Sequence, residues 1–273
     1  MTTRSEMNQG VKATPKKKRH IPVDIIIGIV LMFLFMSTFI LNQTIFNTKF
    51  VTNEITSSNV ESSFLKAANP DLGDGISTDS LMTKSEANMV FGKLVEEAFA
   101  GEKLTVDLTT PIENAMSEGA SNSDSTGFAS AIVSTFSGAI AKEVNSKINS
   151  EINTPEVTKL VKNLHTAKMA SNGIMIGCGI ALLIMIVLSL IGKYFLAVFS
   201  WVTTISWLLT FGFVYIIKGI LPNLVKDYPD YSSLMAQVST DFYSKSWTWL
   251  LIFGAVAIVL WILRFIRSRV SSR

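Results

Sequence analysis

Four runs along the chain contain no Asp, Glu, Lys, Arg or His: Ile25–Leu41, Gly173–Ile191, Tyr194–Ile217 and Trp247–Leu263. A helix needs roughly 20 apolar residues to cross a hydrocarbon core about 30 Å thick. The second and third runs have that length. The first is extended by Ile21, Pro22 and Val23 before Asp24, and the fourth continues past Arg264 to Phe265 and Ile266. Burying four such runs inside a soluble protein would take a very large surrounding core. The pattern therefore predicts transmembrane helices over 21–43, 171–192, 194–217 and 247–266. The first follows a basic start like that of a secretory signal, but it ends Ser37-Thr38-Phe39-Ile40-Leu41-Asn42, with no small-x-small cleavage pattern. It is expected to remain as a signal anchor.

Between the first two spans the period changes from continuous to helical. Thr83-x-x-Glu86 is a capping box. Behind it Ala87, Val90, Phe91, Leu94, Val95, Ala98 and Phe99 form one apolar face that Gly101 ends. Thr110-Pro111 predicts a second start, with Pro at the first helical position, and Gly119 a stop. After a polar loop over 121–127 comes a long helix with Phe128, Ile132, Phe136, Ile140, Val144, Ile148 and Ile152 at every fourth position. A strict four-residue repeat drifts around a 3.6-residue helix, so this stripe spirals. Thr154-Pro155 starts another helix, with Val157, Leu160, Val161 and Leu164, running towards the second span. Residues 46–65 are expected to carry the first span outward as a helix. Only Leu104, Val106 and Leu108 alternate like a short strand. In the 218–246 loop, Leu234, Met235, Val238 and Phe242 suggest a short amphipathic helix.

The expected fold class is an all-α membrane protein, with four transmembrane helices and a mostly helical extracytoplasmic domain, 44–170, inserted between the first and second. Basic residues set the orientation. The tail 1–20 holds Lys16, Lys17, Lys18 and Arg19; the far end holds Arg264 and, in the tail 267–273, Arg267 and Arg269. These topology determinants place both termini in the cytoplasm, with 44–170 and 218–246 outside. Segment 44–170 carries 10 Lys against 16 Asp and Glu, so the chain's formal charge of +3 does not point to nucleic acid. The basic ends also attract anionic lipid headgroups. Tyr228, Tyr231, Trp247 and Trp249 are the expected interface anchors.

Composition agrees with two materials in one chain. Charged residues make up 16% and hydrophobic ones 48%, where an ordinary soluble domain has about 25% charged. The single cysteine, Cys178, lies within the second span. The outer segment thus has no disulfides to hold it, which suits a bacterial plasma membrane and cell envelope. Asp71 and Asp74 lack the spacing and terminal Glu of a calcium loop.

No ionisable residue lies within the four runs, against the pattern of proton-coupled transporters and intramembrane proteases. Two histidines, His20 and His165, are too few for a zinc cluster, and His165 reads as a solvated stem residue. No phosphate loop, nucleophile elbow or paired-carboxylate motif appears in supporting context. No catalytic, cofactor or metal site is expected. Thr203, Thr204 and Ser206 are placed to hydrogen-bond to a neighbouring span. Gly173, Gly177 and Gly179 give the second span a small-residue face for helix packing, expected within the chain rather than between copies.

The functional expectation is a non-enzymatic envelope scaffold or accessory subunit. It would work through its helical outer domain on the bilayer and on other membrane or envelope proteins, or by self-association. The stripe from Phe128 to Ile152 is the candidate partner-contact face. One span, a large outer segment and three further spans also match the layout of FtsX- and MacB-like ABC transmission subunits, an analogy of topology alone. The turn Gly192-Lys193 leaves such a subunit little surface for an ATPase. A pore or exporter component is the third reading, without a polar stripe along any span to support it.

Overall fold

The computed structural model describes residues 21–57, 83–114, 127–225 and 232–270, and it is helical, with no strand among them. The tail 1–20, the Asp71 and Asp74 cluster, Tyr228 and Tyr231 lie outside the described residues. Helices α1 (Ile21–Gln43), α2 (Thr48–Ser57), α3 (Lys84–Ala100), α4 (Gly127–Ile152), α5 (Pro155–Ile191), α6 (Phe195–Ile220) and α7 (Ser232–Val270) follow in order. Four of them, α1, α5, α6 and α7, are long and apolar enough to cross a membrane. Most of the apolar stretch of α7 is not buried within the protein, a surface that suits hydrocarbon around it.

The four long helices form a bundle in which α1 packs on α5 and α6, and α6 on α7. Its core has two parts. At one end Leu182, Val198, Phe199 and Val202 gather Ile25, Ile29 and Phe35. Towards the other, Ile40, Val214, Phe242 and Leu250 gather Trp207, Phe211 and Trp249. Of the hydroxyls expected to bridge spans, Ser206 donates to Ile29 O at 3.0 Å and Thr204 accepts from Trp261 Nε1 at 3.0 Å. Thr203 instead bonds back to Phe199 O of its own helix at 2.7 Å. The α5–α6 turn is a Schellman stop: Tyr194 N–H reaches Ser189 O at 3.1 Å, and Lys193 N–H reaches Leu190 O at 2.9 Å. Lys193, not Gly192, takes the left-handed conformation, at φ 62°, where glycine is the usual occupant.

Helices α2, α3, α4 and the first turns of α5 form a cap on the bundle. The capping box is realised: Thr83 N–H donates to Glu86 Oε2 at 2.8 Å, and Glu86 N–H donates to Thr83 Oγ1 at 3.3 Å. Gly101 closes α3 in the left-handed region, φ 75°. A Cβ there would come within 2.9 Å of the His165 ring, so only glycine fits.

Several local expectations change. Helix α1 does not run on from Phe46. It ends in a tight turn in which Phe46 N–H bonds Leu41 O at 2.9 Å, and Asn47 Oδ1 starts α2 by accepting from Phe50 N–H at 3.0 Å. The segment carrying Leu234 and Phe242 is not a separate amphipathic helix, because α7 continues from it through the fourth span. The second short helix begins at 109 rather than with Pro111 as its first residue, since Asp107 Oδ1 accepts from Thr109 N–H at 3.0 Å.

The Leu104–Leu108 stretch is extended but pairs with no strand. It lies along α4 and bonds to asparagine side chains spaced four apart. Leu108 N–H donates to Asn145 Oδ1 at 2.8 Å and Val106 N–H to Asn149 Oδ1 at 2.7 Å. Leu104 N–H donates to Asn153 Oδ1 at 3.1 Å. The amides of Asn149 and Asn153 return bonds to Val106 O at 2.9 Å and Leu104 O at 2.8 Å. Four helical residues rise about 6.0 Å and two extended ones about 6.6 Å, so every fourth Asn meets every second backbone unit. Facing inwards, Val106 and Leu108 join Ala87, Val90, Phe91 and Ile148 in the cap's core.

Candidate functional site: the junction between cap and bundle

Helix α2 sits where cap meets bundle, packed on α3 and on α7. Its spacing explains this double role. Thr52 and Thr56 fall on one side, where a Cβ on Gly92 of α3 would lie 3.9 Å from Thr52 and Thr56 Oγ1 donates to Asn88 Oδ1 at 3.0 Å. Glu54 and Ser57 turn to α7, where Gln237 Nε2 donates to Ser57 Oγ at 2.6 Å.

Glu54 is buried, with 7% of its surface exposed. Its carboxyl shares a hydrogen bond with Asp241 and also meets Gln237. Burial, then the negative charge of Asp241, then the shared proton push its pKa from 4.5 up to about 7, against a smaller lowering by Gln237. The Oε2 atom has no hydrogen-bond partner among the described residues. Sequence reasoning missed this pair, because Glu54 and Asp241 lie far apart in the chain and neither belongs to a motif.

A second set of contacts ties α3 to α5. His165 is half-buried rather than solvated, its Nδ1 lying 2.8 Å from Phe99 O. Lys168 Nζ sits 4.2 Å above the Phe99 ring. Phe46, from the turn after α1, meets the same ring edge-on at 6.4 Å between centroids. Both junctions are mechanical contacts between cap and span-bearing helices.

No family model, curated protein or solved structure matches this chain.

The residues singled out from the sequence fall as follows. Of the stripe on α4, Val144, Ile148 and Ile152 pack into the cap's core, while the side chains of Phe128, Ile132, Phe136 and Ile140 lie outside the described residues. Of the glycines, Gly179 faces Phe35, 3.5 Å from where its Cβ would be, and Gly173 and Gly177 face open space. Of these three, Gly179 alone lies against a neighbouring helix of the chain. Trp249 turns into the bundle, edge-on to Phe39 at 4.8 Å; Trp247, 39% exposed, points outward and stacks on Tyr243. Arg264 donates to Ser200 Oγ at 2.9 Å, Arg267 donates to Lys193 O at 3.3 Å, and Arg269 lies 4.5 Å from the Phe265 ring. These three arginines and the α5–α6 turn share one end of the bundle. Cys178 is buried and free.

Proposed function

We propose that the chain is a non-enzymatic scaffold or accessory subunit of a bacterial cell envelope, holding a rigid helical cap outside the plasma membrane for contact with other envelope proteins. The observation that carries this reading is helix continuity. Helix α5 runs unbroken from Pro155 in the cap to Ile191 at the far end of the bundle. Together with the Asn145–Asn149–Asn153 ladder and the buried Glu54 contact, this gives the cap a fixed place on its spans. Such fixed geometry suits a platform whose partners bind by shape. The basic end of the bundle supports a cytoplasmic location for both termini, since Lys and Arg accumulate on that side of spans.

The same continuity favours the transmission subunit as the second reading. An unbroken helix moves as one body, so a push at the Lys193 end would reach the cap.

Cross-linking in intact cells, followed by mild-detergent purification of the tagged full chain and mass spectrometry, separates the two. Wall-synthesis or division proteins recovered in several detergents are the result expected of a scaffold. A co-purifying ATPase replaces that reading with the second. Recovery of the chain alone at native expression level overturns both.

A further inference from the structure

Helices α6 and α7 leave a groove of about 320 Å³ on the outside of the bundle. Its walls are Trp207 and Trp261, and its floor includes Gly254 and Ala257. Gly254 is small because the Trp207 indole lies against it: a Cβ there would be 3.2 Å from Trp207 Nε1. Both indole N–H groups are already bonded inside the protein, Trp207 to Leu250 O at 2.7 Å and Trp261 to Thr204 Oγ1 at 3.0 Å. The groove therefore offers hydrocarbon and aromatic faces. Along α7 its lining runs from Leu251 to Trp261. Ten residues at about 1.5 Å each make about 15 Å, half the roughly 30 Å hydrocarbon core.

One turn beyond Trp261 the chemistry changes. Arg264 lies 4.9 Å from the Trp261 ring centroid and is held by its bond to Ser200. Arg267, three residues further along α7, donates to the backbone carbonyl of Lys193 at 3.3 Å. From Val157 to Lys226, and from Phe242 to the end of the chain, the sequence contains no Asp or Glu. Asp24 is the one carboxylate among the described residues of the spans at this end.

We propose that this groove is a binding site for an anionic phospholipid. One acyl chain lies between Trp207 and Trp261, and the headgroup phosphate lies on Arg264 and Arg267. The occupant follows from the two halves together: an apolar slot one leaflet deep, ending in cations at the depth of the headgroups. A free phosphate would use only the second half, and a neutral lipid only the first.

The test uses the full chain in phosphatidylcholine vesicles containing a minor fraction of lipid with brominated acyl chains, which quench tryptophan on contact. Brominated phosphatidylglycerol is expected to quench more than brominated phosphatidylcholine, and inorganic phosphate at matched ionic strength is expected not to displace it. Arg264→Gln and Arg267→Gln should each lower the preference for the anionic lipid about fivefold, the factor that about 1 kcal/mol per basic residue gives. Ala255→Phe fills the groove from an exposed position, so no core atom has to move, and should remove the excess quenching. Circular dichroism and elution volume show whether each variant is folded. Equal quenching by the two lipids overturns the proposal. So does an excess that survives Ala255→Phe, which would mark only attraction to the surface. A groove covered by a protein helix, from a second copy or a partner, would leave the exposed Trp201 and Trp247 to be quenched alike by the two lipids, and it too overturns the proposal.

Discussion

At the scale of single residues, Glu54 carries the clearest dependence on conditions. Its carboxyl is buried beside Asp241, and its pKa stands at about 7 instead of 4.5. A carboxyl whose pKa is raised by docking holds more protons docked than free. The α2–α7 contact is therefore firmest below about 4.5 and weakens as pH rises through about 7. The charged group acting on Glu54 is Asp241; Lys218 Nζ of α6 lies 4.2 Å from the Tyr243 ring centroid. Hydrogen exchange in the α2 amides, corrected for intrinsic rates, should be about tenfold better protected near pH 5.5 than near pH 8. Glu54→Gln removes the titration and should level the two. Equal protection in the unsubstituted protein at both pH values would show that Glu54 ionises without loosening the contact.

At the scale of elements, the asparagine ladder is the feature with the largest expected cost. Asn149 serves both the N–H and the C=O of Val106, a residue with 1% of its surface exposed. Asn149→Ala leaves both groups without partners, at about 1–3 kcal/mol each. With about 2 kcal/mol lost overall, the Val106 amide should exchange about thirtyfold faster. Asn163→Ala, at an exposed position on α5, should leave it unchanged. The ladder also shows how far the sequence could be read. Capping at Thr83 and stopping at Gly101 were legible because each depends on neighbours in sequence. The alternation of Leu104, Val106 and Leu108 was legible as one buried face, yet alternation says nothing of what bonds the backbone edge. Here side-chain amides replace a second strand. The start of α7 was misplaced for a different reason. Ser244-Lys245-Ser246 changes the polarity of the chain but contains no helix breaker, so one helix passes from polar surroundings into apolar ones. The Glu54–Asp241 junction and the α6–α7 groove were invisible because tertiary packing alone brings their residues together.

At the scale of the whole molecule, connectivity and charge together make an argument about sidedness. Four antiparallel spans bring the start of α1, the Lys193 turn and the end of α7 to one side of the membrane, with the cap on the other. Arg264, Arg267 and Arg269 stand on the first side, and lysine- and arginine-rich flanks stay in the cytoplasm during insertion. The cap should then face outward. Cysteine labelling tests this, because the only native thiol, Cys178, is buried in α5 and can be replaced by serine. In that background Ser146→Cys, exposed on α4, should react with a membrane-impermeant maleimide in intact cells. Lys193→Cys, exposed in the α5–α6 turn, should react only after permeabilisation. The reverse order of labelling would put the cap in the cytoplasm, and a contact with the outer envelope would no longer be possible. Labelling of both positions in intact cells would mean that the insertion is mixed, and that the basic residues at this end do not decide it alone.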